Sequence, residues 1–291
     1  MRRDVVRTAM DREGAYRLIQ SADRQLNAFL GIAELAGTCI GDQDRLGQHQ
    51  LGQHAGRQRC IRATASGADG EGVEDSVDAA VDNPAADRLL DLEPNVRGSS
   101  GYGIAWQQKI YKDWGGIDLD DFAAAAAYLT SLDWADPGKL AVMGTSYGGF
   151  AALSCMSRLP DLWAAGVSVC GPANLETLAR SMPPSWATIV ATMIGDPDTE
   201  ASKLRARSPV THANQIAAPL LVIQGANDPR VPKAEADQIV EAARGNGADV
   251  TYLVFDDEGH GFTSRGNHTK AHTTIAEFLS HHLLQQQEGL Q

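Results

Sequence analysis

The chain has 291 residues, enough for one large or two ordinary domains, and its 43% hydrophobic and 21% charged residues describe a globular protein able to bury a sizeable core. That balance excludes a wholly disordered chain, a collagen-like fibre and a disulfide miniprotein. A formal charge of -12 opposes the phosphate contacts on which nucleic-acid affinity depends, so nucleic acid is set aside as a partner.

Residues 1–18 carry charges throughout and offer no apolar core of a signal peptide, and no window reaches the roughly 18 apolar residues of a membrane span. The expectation is a soluble, cytoplasmic protein without a membrane partner. Residues 1–94 and 95–291 then differ in kind. The first Lys is Lys109, and Tyr16 and Phe29 are the only aromatics before residue 95, so all five Trp fall later. Large rings supply much of a core's buried area, and the first part is poor in them. Within it, Leu18, Ile19, Leu26, Phe29, Leu30 and Leu35 have roughly helical spacing over 16–35, whereas 41–91 shows no sustained period and reads as loop or disorder. The acidic run 69–82 reads as a solvated segment.

After residue 95, short apolar runs alternate with helical stretches, the pattern of a mostly parallel sheet covered by helices. Strands are predicted at 140–144, 166–169, 220–225 and 250–255, with the continuous apolar character of strands buried on both faces. Helices are predicted at 120–132, 147–158, 234–244 and 268–284, the third stopped by Gly245 and Gly247. Cys155 and Cys170 read as small core residues. With Cys39 and Cys60 they show neither CxxC nor zinc-ligand spacing.

Gly144-Thr145-Ser146-Tyr147-Gly148 is a G-x-S-x-G motif lying between a predicted strand and a predicted helix, the context of a nucleophile elbow. Gly144 and Gly148 let the helix pass close to the strand, Ser146 is raised at the sheet's carboxyl edge, and the Tyr147 amide faces a developing oxyanion. A serine hydroxyl needs a base, usually a histidine oriented by a carboxylate. The run 220–225 delivers Asp228 in the following loop, and 250–255 delivers His260 in the next, in the order nucleophile, acid, histidine. Taken singly, Asp228 before Pro229 is a turn former, His260 between glycines a surface residue and Ser146 a helix cap; their joint placement at strand ends favours a catalytic triad. His268 and His272, four apart on a helix, lack an HExxH or Cys pair and read as a solvated face, and His281 and His282 as an exposed helix end. No metal and no cofactor are called for.

Several segments in series resemble the catalytic domain of prolyl oligopeptidase family serine peptidases, more in the manner of the acylaminoacyl- and dipeptidyl-peptidase-like branches than of simple esterases. They are Asn95-Val-Arg-Gly-Ser-Ser-Gly-Tyr-Gly103, Asp113-Trp-Gly-Gly116 with the acids of 118–121, Gly144-Thr-Ser-Tyr-Gly-Gly149, Arg158-Leu-Pro-Asp161, Ser208-Pro-Val210, Gly225-Ala-Asn-Asp-Pro-Arg-Val231 and Glu258-Gly-His-Gly-Phe262. The likeness covers about 95–285. It implies an α/β-hydrolase fold, with Ser146 as nucleophile, Asp228 as orienting acid, His260 as base and the Tyr147 amide as oxyanion donor. It further implies Arg230 as a ligand for a carbonyl of the bound peptide, Val231 and Trp186 as lining of the side-chain pocket, and a peptide substrate; a homo-oligomer is compatible with it. Arg230 is otherwise read as a surface salt bridge.

Members of the family normally carry, upstream, further strands, an HGGP-like loop supplying the second oxyanion donor, and a β-propeller. Only Gly115-Gly116 and Gly148-Gly149 occur as Gly-Gly pairs here, and the apolar strands expected to flank such a loop are missing or replaced in 1–94. The expectation is therefore an atypical first segment, 1–94, from a truncation or reading-frame artefact, joined to a catalytic domain, 95–291. A carboxylesterase with the same triad, or an inactive fragment, are the alternatives to a peptidase.

Overall fold

The computed structural model of the chain describes residues 59–65, 89–133 and 135–284. Its centre is one sheet of six parallel strands: β1 (Arg59–Ala65), β2 (Leu89–Leu92), β3 (Ala135–Thr145), β4 (Ala165–Val169), β5 (Leu220–Gly225) and β6 (Val250–Phe255). Their spatial order is β2-β1-β3-β4-β5-β6. From β3 onward each strand lies beside its predecessor. All pairs are parallel, so the chain must cross back over the sheet between strands, as helices do in βαβ units.

Both faces are buried, and the side-chain alternation of a strand shows how. Leu140 and Val142 of β3 and Leu220 and Val222 of β5 point to one face. There they meet Phe122, Ala126 and Leu129 of α2 (Ile117–Thr130), Ala151, Ala152 and Cys155 of α3 (Tyr147–Arg158) and Ile239 and Val240 of α7 (Lys233–Gly245). Ala141, Val167, Leu221 and Ile223 point to the other face, under Ala271, Ile275, Leu279 and Leu283 of α8 (Arg265–Leu284). Double-sided burial is why β4 and β5 are buried throughout and mostly apolar instead of alternating. Four shorter helices complete the described part: α1 (Ile104–Gln107), α4 (Leu175–Ser181), α5 (Ala187–Met193) and α6 (Ala201–Arg207). The last three surround a third apolar cluster above the β4 and β5 ends, containing Trp114, Phe150, Leu178, Val190 and Val231. Among the described residues no helix is long and apolar enough to cross a membrane.

The four predicted strands and four predicted helices are present, with shifted ends. β3 begins at Ala135 rather than 140 because Ala135 pairs with Arg59 before the register jumps to Leu140 opposite Ile61. The intervening 136–139, with Pro137 and Gly138, bulges out of the ladder. The structure also differs from the sequence reading before residue 95. Two strands, β1 and β2, occupy part of the stretch read as loop, so the sheet is not without strands on that side of β3. Their register, Ala63 opposite Val142 and Cys60 opposite Leu89, is a backbone match to a strand that offers a free ladder. Side-chain periodicity does not announce it. The helix expected over 16–35 and the acidic run 69–82 lie outside the described residues.

Candidate active site

The candidate residues sit where β3, β5 and β6 end at their carboxyl edge. Ser146 is the single residue between β3 and α3 and adopts φ 59°, ψ -117°, a conformation that side chains with a β-carbon avoid at a cost of about 1–3 kcal/mol. Its surroundings enforce it. The Ser146 amide donates to Val169 O at 2.8 Å, and Phe150 N donates to Ser146 O at 3.0 Å, closing the first turn of α3. The helix then crosses the end of β4 in backbone contact: a β-carbon on Gly149 would stand 2.7 Å from the Gly171 Cα and 2.9 Å from Val169 O. The steric need that the sequence reading assigns to Gly144 and Gly148 is therefore seen most directly at Gly149.

The acid and histidine loops are tied to each other. Gly225, the last residue of β5, has no room for a β-carbon, which would lie 2.1 Å from Gly259 O. Asn227 N donates to Glu258 O (2.9 Å), and Asn227 Nδ2 to Asp256 O (2.7 Å). Glu258 closes the histidine loop on itself. Its Oε2 accepts from Thr263 N (2.9 Å) and Thr263 Oγ1 (3.1 Å), and its Oε1 from Ser264 N (2.9 Å) and Asn267 Nδ2 (2.9 Å). Those donors, led by the Thr263 amide, hold the Glu258 carboxyl down at about 2.

These loops bring Ser146, His260 and Asp228 together. His260 Nδ1 is 2.7 Å from Asp228 Oδ2, and His260 Nε2 is 2.8 Å from Ser146 Oγ. An ionised carboxylate only accepts, so Nδ1 carries the proton and Nε2 accepts from the serine hydroxyl. Asp228 is held independently of the histidine: its Oδ1 accepts the amides of Arg230 (2.8 Å) and Val231 (2.9 Å). Gln224 Nε2 reaches Oδ2 at 3.3 Å and also donates to Gly225 O and Val231 O, both at 3.1 Å. The Asp228 side chain is fully buried, and only 9% of the His260 side chain is exposed. A fully buried thiol, Cys170, adjoins the pair; burial, and then the charge of Asp228, push it up to about 12, so the thiol carries its proton in the site as it stands.

Tyr147, whose amide follows the serine, is fixed at its other end. Its hydroxyl donates to Asp118 Oδ2 at 2.8 Å, Gly115 N donates to the same oxygen at 3.0 Å, and Trp114 stands edge-on to its ring at 4.8 Å. Burial raises the Asp118 carboxyl and pushes the Tyr147 phenol well up, in each case as the largest cause. Arg97 grips Asp121 of α2 through Nε and its own amide, so the 95–103 and 113–121 segments are anchored to one helix.

Of the remaining predicted residues, Arg230 is half-buried, and among the described residues its guanidinium makes no ion pair. Val231 has no exposed surface and belongs to the apolar cluster against which Tyr147, Met182 and half-buried Trp186 pack. His268 and His272 face each other, Nε2 to Nε2 at 3.2 Å. His281 is exposed, and His282 is half-buried against Phe278. Sequence reasoning passed over Gln224, Glu258 and Asp118. Gln224 stands out as the one polar side chain in the apolar run 220–224, whereas Glu258, seven residues before α8, is at no capping position and has no sequence signal of its own. The expected second oxyanion donor has no candidate among the described residues.

A parallel sheet with a serine on a strained strand-to-helix turn, facing a histidine and an acid from later strand ends, defines an α/β-hydrolase. Residues 91–286 match the prolyl oligopeptidase family, and the chain belongs to that family of serine peptidases. It is 44% identical over 191 residues to dipeptidyl aminopeptidase BIII of Pseudoxanthomonas mexicana, across 64% of this chain and 28% of that protein. It is 37% identical over 195 residues to dipeptidyl peptidase family member 6 of Caenorhabditis elegans, across 65% of this chain and 26% of that one. The chain thus spans little more than a quarter of the length of these relatives. A puromycin-hydrolyzing peptidase of Mycobacterium tuberculosis superposes with a TM-score of 0.71 at 26% identity, covering 78% of this chain and 35% of that one. The acylaminoacyl peptidase of Pyrococcus horikoshii shares the fold, with a TM-score of 0.68 at 22% identity over 81% of this chain and 39% of that one.

Proposed function

We propose that the chain is the catalytic part of a serine peptidase that hydrolyses oligopeptides through an acyl-enzyme. The observation that carries this reading is the unbroken chain of short contacts from Asp228 through His260 to Ser146. His260 takes the Ser146 proton as Oγ attacks a peptide carbonyl, and Asp228 holds the ring in the tautomer that leaves Nε2 free to accept. The Tyr147 amide receives the oxyanion, the leaving amine takes the proton back from His260, and water repeats the sequence in reverse to release the acid. The Arg230 guanidinium holds a carbonyl of an extended substrate, and Trp186 with the Val231-backed cluster lines the side-chain pocket. The names of the relatives, dipeptidyl and acylaminoacyl peptidases, support peptides rather than small esters.

The test compares turnover of a chromogenic dipeptidyl amide with that of a p-nitrophenyl ester, with Ser146→Ala as control. Amide cleavage lost in the variant supports the proposal; ester cleavage alone points to an esterase, and no turnover of either to an inert fragment.

A further inference from the structure

The thiol behind the acid has no part in the hydrolytic sequence, yet its placement is specific. Cys170 directly follows β4, with φ 48°, and its amide donates to Ile223 O of β5 at 2.8 Å, which pins it between the two strand ends. The Cys170 sulfur, a carboxylate oxygen of Asp228 and a ring nitrogen of His260 all lie within 4.8 Å of one another. Among the described residues this is the one group of three or more such side chains so gathered.

Thiolate, carboxylate and imidazole together form a donor set for borderline-soft divalent ions. Zinc holds nitrogen and oxygen at about 2.0–2.2 Å and sulfur at about 2.3 Å, which at tetrahedral angles sets the donors about 3.3–3.7 Å apart. From the present positions, Nδ1 and Oδ2 at 2.7 Å would separate by about 0.6 Å, and the sulfur would draw in by no more than about 1.5 Å, changes on the scale of side-chain adjustment. One positive ion against two anionic donors leaves no net charge in the buried site.

We propose that Cys170, Asp228 and His260 Nδ1 form an inhibitory site for a soft divalent cation of the zinc and cadmium class. On binding, the Cys170 S–H bond breaks and its proton leaves to solvent. The ion replaces the proton on Nδ1, and the neutral ring carries its proton on Nε2 instead. Overall, one proton is released per ion bound and nothing is oxidised or reduced. His260 then faces Ser146 as a donor and can no longer take the hydroxyl proton, although the ring has scarcely moved. The loss of turnover rests on the serine-peptidase reading; the ion site itself does not.

The full chain carrying Cys39→Ser and Cys60→Ser is titrated with cadmium in chelator-free buffer, reading the ultraviolet cadmium–thiolate band, with fluorophosphonate labelling of Ser146 in parallel. The expected result is a band saturating at one equivalent, labelling blocked by cadmium and restored by EDTA, and an affinity at least about tenfold weaker once Cys170→Ser is added. Cys155→Ser, which changes the other buried thiol, is expected to retain the band. An undiminished band or equal protection from labelling in the Cys170→Ser chain would overturn the site. Should that variant not fold, cadmium NMR of the chain with Cys170 intact reads the donors directly: a one-sulfur mixed site supports the proposal, and an all-oxygen or multi-sulfur site refutes it. If the metal-free protein does not label at all, the serine-peptidase reading fails while the band still judges the ion site.

Discussion

Replacing Asp228 by Asn isolates the role of the acid, because the structure dictates how the amide must sit. Two backbone amides, from Arg230 and Val231, point at Oδ1 and require an acceptor there. The Asn carbonyl oxygen therefore takes the Oδ1 place, and its NH₂ takes the Oδ2 place, 2.7 Å from His260 Nδ1. An NH₂ donates, so Nδ1 must accept and the ring proton moves to Nε2, opposite Ser146. The base is blocked with the geometry intact. A wrong-tautomer lesion of this kind lowers turnover by about 10⁴-fold, or about 5.4 kcal/mol of barrier. Stability suffers less: the bonds to Arg230 N, Val231 N and His260 become neutral ones and Gln224 Nε2 loses its acceptor, a loss of about 2–4 kcal/mol, or about 4–16 °C in Tm. The assay is kcat/KM on a dipeptidyl amide with a thermal melt of the same sample. A variant that folds normally and keeps more than a tenth of wild-type turnover would refute the assignment of Asp228 as the group that sets the tautomer.

Gly149→Ala drives a β-carbon into the Gly171 backbone and is expected to cost about 3 kcal/mol or more in chemical denaturation, whereas Gly245→Ala, in open space at the end of α7, is expected to stabilise by about 0.5–1 kcal/mol. Arg230→Ala is expected to lower kcat/KM for peptide amides by about 10- to 100-fold through loss of one charge-assisted bond, and to leave a p-nitrophenyl ester nearly unaffected. Glu258, held at about 2 against an ordinary 4.5, stabilises the folded histidine loop above pH 4.5, and this contribution disappears as pH falls from there through 2. The Tm gap between wild type and Glu258→Gln is therefore expected to be full near neutrality and to close between pH 4.5 and 2; a gap unchanged across that interval would contradict the staple.

The Ser146, Asp228 and His260 cluster was legible because each residue lies in the short loop after an apolar run, beside Gly or Pro punctuation, and such runs are what double-sided burial in a parallel sheet demands. The helices α2, α7 and α8 were legible for the related reason that each presents one apolar stripe to that sheet, and α3, buried nearly all round, from its run of small and apolar residues. β1 and β2 were not. β1 has seven residues but reads RCIRATA, without a continuous apolar run, and β2 has only four; β1 pairs with β3 and β2 with β1 through backbone bonds that side-chain patterns do not report. Gln224 and Glu258 escaped notice because their importance comes from donors and acceptors that only the fold assembles: one bridges the acid to its own loop, the other closes the loop carrying the base. The steric demand at Gly149 is hidden in the sequence, since the Val169 and Gly171 backbone it must avoid lies about twenty residues further along the chain.

In the proposed mechanism Ser146 is activated by a histidine held in one tautomer by Asp228. The most direct test is to treat the folded chain with a fluorophosphonate and locate the adduct by mass spectrometry. A single adduct on Ser146 is expected, abolished by prior denaturation and reduced by orders of magnitude in His260→Ala and Asp228→Asn. An unlabelled Ser146 in the folded protein, or labelling that His260→Ala leaves intact, would contradict it.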